Sequence, residues 1–100
     1  MKGYMYILEC VDQTFYVGST SDLLIRIGQH QSGLGSNYTK ERLPVKLIYY
    51  EEFETVKDAF LREKQIHGWS KAKKIALMEK NKKELKLLAQ CQNNTHYKKQ

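Results

Sequence analysis

The sequence predicts a small α+β domain: a three-stranded, mainly antiparallel sheet flanked by helices, in the order strand, strand, helix, strand, helix, helix. Three observations carry this. Two segments rich in aromatic and β-branched residues, Tyr4-Met5-Tyr6-Ile7-Leu8 and Thr14-Phe15-Tyr16-Val17, flank a polar stretch around Asp12 and Gln13, which is the pattern of a β-hairpin. A third such segment, Val45 to Tyr50, follows the only proline, Pro44. Apolar residues elsewhere recur at helical spacing, and 100 residues hold one core rather than two.

After the hairpin, Ser21 or Asp22 can cap a helix whose Leu23, Leu24 and Ile27 form an apolar stripe ending near Gly33 or Gly35. Residues 31–44, with two glycines and the proline, read as an ordered loop into the third strand. Thr55 with Asp58 three positions on matches a capping box, and the helix it opens turns Val56, Ala59, Phe60 and Ile66 inward until Gly68 stops it. Ser70 can cap a last helix with an apolar face of Ala72, Ile75, Ala76, Leu85 and Leu88 beneath Lys71, Lys73, Lys74, Lys80, Lys82 and Lys83. The domain is expected over residues 1–89, and residues 90–100 are expected to be a disordered polar tail.

No run of about eighteen apolar residues is present, and the first residues lack a secretory signal, so a cytoplasmic protein without a membrane partner is expected. Cys10 and Cys91 lie far apart without a CxxC pair, which points to free thiols, Cys10 as a small core residue. The net charge of +6 is uneven: residues 1–63 carry seven Lys or Arg against nine Asp or Glu, and residues 64–100 carry ten against two. Such a gradient suits a polyanion, although lysine-rich helices are often merely solvated.

Glu63 falls on the inward stripe of its helix, four after Ala59 and three before Ile66. A carboxylate there needs a partner, either a cation such as Arg62 or Arg26, or a metal. Arg26 and His30 stand four apart and share a helix face, a planar cation and a titratable ring that suit a phosphodiester as well as an ordinary polar surface. Seven tyrosines are present, and Tyr6, Tyr16 and Arg26 stand at successive ten-residue intervals. A two-residue turn at Asp12-Gln13 would put Tyr6 and Tyr16 on opposite sheet faces, whereas a three-residue turn over Val11 to Gln13, or a bulge, would put them on one face. An odd loop is therefore expected.

Tyr4-Met5-Tyr6 and Tyr16-Val17-Gly18 resemble the paired tripeptides of the GIY-YIG nuclease superfamily, and Asp22-Leu23-Leu24-Ile25-Arg26 resembles its helix ending in the catalytic arginine. Glu63 falls where that family has a metal-binding glutamate. The likeness extends through His30, Gly33, Gly35, Tyr38-Thr39, Arg42, Pro44 and Trp69-Ser70 toward the small stand-alone bacterial branch of UPF0213-like proteins. Tyr4, Ile25, Leu34, Leu43 and Ile75 depart from the family pattern, the last replacing an asparagine found in many members.

The resemblance implies a metal-dependent endonuclease, structure-selective or weakly specific, acting in DNA repair, recombination or nucleic-acid turnover. A non-catalytic nucleic-acid-binding module is the alternative. It further implies Mg²⁺ or Mn²⁺ on Glu63, Arg26 at the scissile phosphate, and Tyr6, Tyr16 or His30 as candidates for the general base, with DNA expected before RNA as partner. Tyr38, Lys40, Arg42, Lys71, Lys73 and Lys74 are the expected nucleic-acid contacts, and Trp69 either stacks on an unpaired base or anchors the last two helices.

Overall fold

In the computed structural model, which describes residues 1–81, one antiparallel sheet has the strand order β2-β1-β3. Strand β1 is Gly3–Glu9, β2 is Phe15–Thr20 and β3 is Lys46–Phe53; the helices are α1 Leu23–Gln31, α2 Asn37–Lys40, α3 Val56–His67 and α4 Lys71–Lys80. The expected α+β class and element order hold, with α2 as an addition inside the loop before Pro44. Ser36 caps that single turn by accepting from the Thr39 N–H. Four residues are too few to show a periodic stripe, so no pattern announced it.

The hairpin has the odd loop. The Cys10 N–H donates to the Thr14 carbonyl at 2.9 Å and the Gln13 N–H to the Cys10 carbonyl at 2.9 Å, leaving a loop of Val11, Asp12 and Gln13. Tyr6 then pairs with Gly18 and Leu8 with Tyr16, so Tyr6 and Tyr16 project from one face of the sheet. Gln13 closes the loop at φ 69°, a conformation that glycine adopts without steric cost. Gln13→Gly is therefore expected to raise the urea midpoint, by about 0.5 kcal/mol of stability once glycine's extra unfolded freedom is offset. A lowered midpoint would contradict the left-handed closure.

Alternation along the strands divides the core in two. Tyr6, Leu8, Cys10, Val45 and Leu47 pack with Ile27 of α1, and Tyr16, Leu23, Tyr38 and Tyr50 close around them. On the other face Met5, Ile7, Val17 and Tyr49 pack with Ile66 of α3 and Met78 of α4, flanked by Phe15, Trp69 and Leu77. An extra residue in β3, where Ile7 pairs with Tyr49 but Leu8 with Leu47, brings Leu47 to the α1 face. At its start α3 lies against β1, where a β-carbon on Gly3 would meet the Val56 backbone at 2.6 Å.

The helix stripes need correction in detail. Leu24 is 68% and Phe60 46% exposed, each one helical step outside the buried line of its helix. In α4 the expected face of Ala72, Ile75 and Ala76 is exposed, and the inward line is Lys74, Leu77, Met78 and Asn81. Those four positions follow helical spacing, but a lysine and an asparagine conceal it from an apolar count. Leu85, Leu88, Lys82, Lys83, Cys91 and the expected tail at 90–100 lie outside the described residues. Cys10 is a buried free thiol whose pKa is raised by burial, and no helix among the described residues is long and apolar enough to cross a membrane.

Candidate active site

The site is organised at Gly18 and Ser19 on the edge strand β2. Tyr6, opposite Gly18 in the register, lies across it, so that a β-carbon at Gly18 would stand 2.5 Å from the Tyr6 hydroxyl. Only glycine leaves that path open. Tyr6 is 1% exposed, and its hydroxyl is 2.8 Å from His30 Nε2. Burial pushes the phenol pKa up to about 12, against the hydrogen bond and charge of Arg26 and together with the charges of Tyr16 and Glu63. Tyr6 is therefore protonated at neutral pH and senses Arg26, Tyr16 and Glu63 at once.

His30 is fully buried behind Tyr6, with Nδ1 2.9 Å from Thr39 Oγ1. Burial, and then the charge of Arg26, hold its pKa down at about 4, so the ring is neutral at pH 7. A β-carbon at Gly35 would overlap this ring, which is why the α1–α2 loop can close over it. The Tyr16 ring lies 5.1 Å from that of His30 and stacks on Tyr38 at 6.1 Å and 25°. Among the described residues nothing hydrogen-bonds the half-buried Tyr16 hydroxyl.

Arg26 donates to Gln29 Oε1 at 3.0 Å and to the Gly35 carbonyl at 3.3 Å, and meets no carboxylate among the described residues. Glu63 approaches from the other sheet face. Its Oε1 accepts from the Ser19 hydroxyl at 2.7 Å, and no cation pairs with it among the described residues. Arg62 is instead held by Glu51 through contacts of 2.8 and 3.2 Å. The ion-pair alternative for Glu63, with Arg62 or Arg26, is thus not formed. A half-buried carboxylate on an inward stripe stands without a counter-charge, one residue along β2 from the glycine that Tyr6 crosses.

The sequence profile of the GIY-YIG catalytic domain matches residues 2–76. The chain belongs to the GIY-YIG family. Membership of this nuclease family implies a nucleic-acid substrate. A UPF0213 protein of Streptococcus pyogenes serotype M3 is 43% identical over 86 residues, spanning 85% of this chain and 94% of its own. A second, from serotype M5 strain Manfredo, is 42% identical over the same shares of both chains. The solution NMR structure of the UPF0213 protein BH0048 from Bacillus halodurans aligns with a TM-score of 0.52 at 38% identity, over 79% of this chain and 84% of that one.

In this GIY-YIG domain four of the five residues expected to act together lie on one face of the sheet and the fifth on the other. Tyr6, Tyr16, Arg26 and His30 share the α1 face, and Glu63 stands on the other face of the sheet, bonded to Ser19 beside Gly18, where its charge still reaches the Tyr6 phenol. The expected nucleic-acid residues fall into two groups that flank the hairpin turn. Tyr38 donates to Thr14 Oγ1 at 2.7 Å beneath the Arg42 guanidinium, 3.8 Å from its ring, and Arg42 also pairs with Asp12 at 3.0 Å. Lys40 is exposed on α2. On the α4 side Lys71 donates to the Gln13 carbonyl at 2.6 Å, and Lys73 lies 4.3 Å from the Trp69 ring. Lys74 is half-buried, its pKa lowered by that burial. Trp69 packs against the α3–α4 core cluster with Arg62 5.4 Å from its ring.

Two polar residues of the site, Ser19 and Ser36, carried no prior signal, and Thr39 figured only as part of the family likeness, with no role attached. Ser19 stands on the apolar α3-facing side of β2, where a hydroxyl could have marked a buried partner. Ser36 and Thr39 depend on the turn α2, which nothing local revealed.

Proposed function

We propose that this GIY-YIG domain is a metal-dependent endonuclease that hydrolyses nucleic-acid phosphodiester bonds, structure-selective or weakly specific, with DNA before RNA as substrate and a role in repair, recombination or turnover. The observation that carries the reading is the pair of opposite charges, Arg26 and Glu63, that have no counter-charge among the described residues and both influence the Tyr6 phenol. In a merely structural site these two would pair with each other or with neighbours.

The donor set fits Mg²⁺ or Mn²⁺ held in part by the substrate. Among the described residues no three His, Cys, Asp or Glu side chains converge, but Glu63 offers one carboxylate with one oxygen steadied by Ser19. A hard cation that keeps its waters and takes a substrate phosphate as a further ligand suits a single carboxylate. Such a metal, when bound, supplies charge stabilisation and acidifies its water.

The remaining roles fall to side chains. Arg26 meets the phosphate and stabilises the charge developing on it. Tyr16, whose hydroxyl has no hydrogen-bond partner among the described residues, orients the attacking water. Tyr6, protonated at rest, takes the proton of that water on its oxygen as its own proton passes to His30 Nε2. A phosphate on Arg26 offsets the positive charge that helps depress the His30 pKa, so substrate itself makes His30 a better acceptor. Lys40, Arg42, Lys71, Lys73 and Lys74 contact the backbone around the hairpin turn, and Tyr38 with Arg42 also braces Tyr16.

One observation favours the alternative of a binding module that does not cut: Ile75, at the position where many family members carry asparagine, is 41% exposed on α4. Labelled single-stranded, duplex, flap and branched DNA and RNA, each incubated with Mg²⁺, Mn²⁺ or EDTA, separate the two. Cleavage of at least one substrate with metal and none in EDTA is expected. Retention of nucleic acid without cleavage in any condition would replace the nuclease with the binding module.

A further inference from the structure

We propose that Thr39 is a positioning residue of this site, holding His30 in the Nδ1-protonated tautomer so that a bare Nε2 faces the Tyr6 hydroxyl. The assignment rests on the role given above to Tyr6 and His30 as the proton-transfer pair.

Proton bookkeeping in the buried network decides the tautomer. Among the described residues the hydrogen-bond partner of the Tyr6 oxygen is His30 Nε2 at 2.8 Å, and Arg26, whose charge also reaches the phenol, can only donate. With Nε2 bare, Tyr6 donates to it, Nδ1–H donates to Thr39 Oγ1 at 2.9 Å, and the Thr39 hydroxyl donates on to Ser36, whose carbonyl lies at 3.4 Å and Oγ at 3.0 Å. Every proton then has an acceptor. With the proton on Nε2 instead, the ring donates to the Tyr6 oxygen, and the phenol proton of this residue, which is 1% exposed, has no acceptor among the described residues. A buried donor left in that state is strongly disfavoured.

Thr39 can serve this end because of its local structure. It is fully buried at the third position of α2, and its N–H is taken by the Ser36 cap at 3.2 Å, which fixes the hydroxyl against the ring. Gly35 admits the imidazole edge, and the Tyr16 ring faces it from the strand side. The consequence for the reaction is directional. A phenol proton committed to Nε2 leaves a lone pair on the Tyr6 oxygen for the proton of the attacking water, and the opposite tautomer would turn the phenol into a donor toward that water.

The test is the imidazole ¹⁵N spectrum of the full chain at pH 7, together with cleavage kinetics on the best substrate of the panel. Wild type is expected to show His30 protonated on Nδ1. Thr39→Val leaves Nδ1–H without an acceptor, as Nε2–H would leave the Tyr6 proton, so it is expected to replace the single Nδ1–H tautomer by a mixture of the two and to lower kcat roughly 10- to 100-fold with KM within about twofold. Thr39→Ser is expected to restore both tautomer and kcat, which separates the hydroxyl from the packing of the methyl group. A wild-type ring protonated on Nε2, an unchanged tautomer in Thr39→Val, or a changed tautomer with unchanged kcat would each overturn the proposal. The spectrum needs no substrate, so a wild type that cuts nothing sinks the nuclease reading separately from the tautomer.

Discussion

Glu63→Ala is expected to lower metal-dependent cleavage by at least about 10³-fold while leaving stability within about 1 kcal/mol of wild type or slightly above it. The two halves of that expectation come from the same geometry. Glu63 makes one hydrogen bond, from Ser19 at 2.7 Å, and no ion pair among the described residues, so it is a half-buried charge whose desolvation little in the free protein offsets. Its removal costs one hydroxyl contact and relieves that desolvation. Cleavage, by contrast, loses the carboxylate that would hold the metal. Ser19→Ala should fall between, roughly 10-fold down in kcat, because it frees the carboxylate rotamer without removing the ligand. Rates on the preferred substrate and urea midpoints of the three proteins give both numbers. A Glu63→Ala protein that cuts at the wild-type rate, or one destabilised by several kcal/mol, would make this carboxylate a structural residue.

What could be read in the sequence, and what could not, divides along the range of the interactions. The shared face of Tyr6 and Tyr16 was legible because strand alternation and loop length are local rules, and only an odd loop satisfies both. Caps were legible for the same reason: Asp22, Thr55 and Ser70 each bond the N–H three residues on. The spacing of Arg26 and His30 put them on one face of α1, yet suggested a polar pair at the rim. Instead His30 lies in the core and Arg26 above it, because Gly35 and Thr39 come from a loop whose fold is set by packing rather than by period. The position of Glu63 on an inward stripe was legible, and its partner was not: Ser19 lies 44 residues earlier, on a strand that meets α3 only in the folded sheet. Arg62, the nearer candidate by sequence, is drawn to Glu51 of β3. The line of Lys74, Leu77, Met78 and Asn81 in α4 escaped for a related reason, since Asn81 is inward to donate to the Tyr49 hydroxyl at 3.1 Å.

The second large effect is on stability and follows from His30. Its pKa is about 4 in the folded protein, held down by burial first and then by Arg26, against an ordinary value of 6.5. A group with a depressed folded pKa contributes stability that is complete above the unfolded value and is lost as pH falls. Above pH 6.5 both states carry a neutral ring and nothing changes. Between 6.5 and about 4 the unfolded chain binds a proton that the folded chain refuses, and below about 4 the folded ring also protonates and the loss levels off. Integrated over that window the loss approaches about 3 kcal/mol, a large share of the stability of a domain this size. Carboxylates such as Asp12, its pKa lowered chiefly by Thr14, titrate in the same acid range, so wild type alone would not isolate the ring. His30→Gln, which keeps an amide able to bond Tyr6 and Thr39 but cannot titrate, provides the reference. Urea unfolding of both proteins at half-unit steps from pH 7.5 to 4 should show the wild-type free energy falling by roughly 2–3 kcal/mol more than that of the variant. Parallel curves would mean that His30 takes up its proton in the folded state as readily as in the unfolded one. The ring would then share its proton equilibrium with solvent near neutral pH, and the Tyr6 hydrogen bond would not hold it neutral.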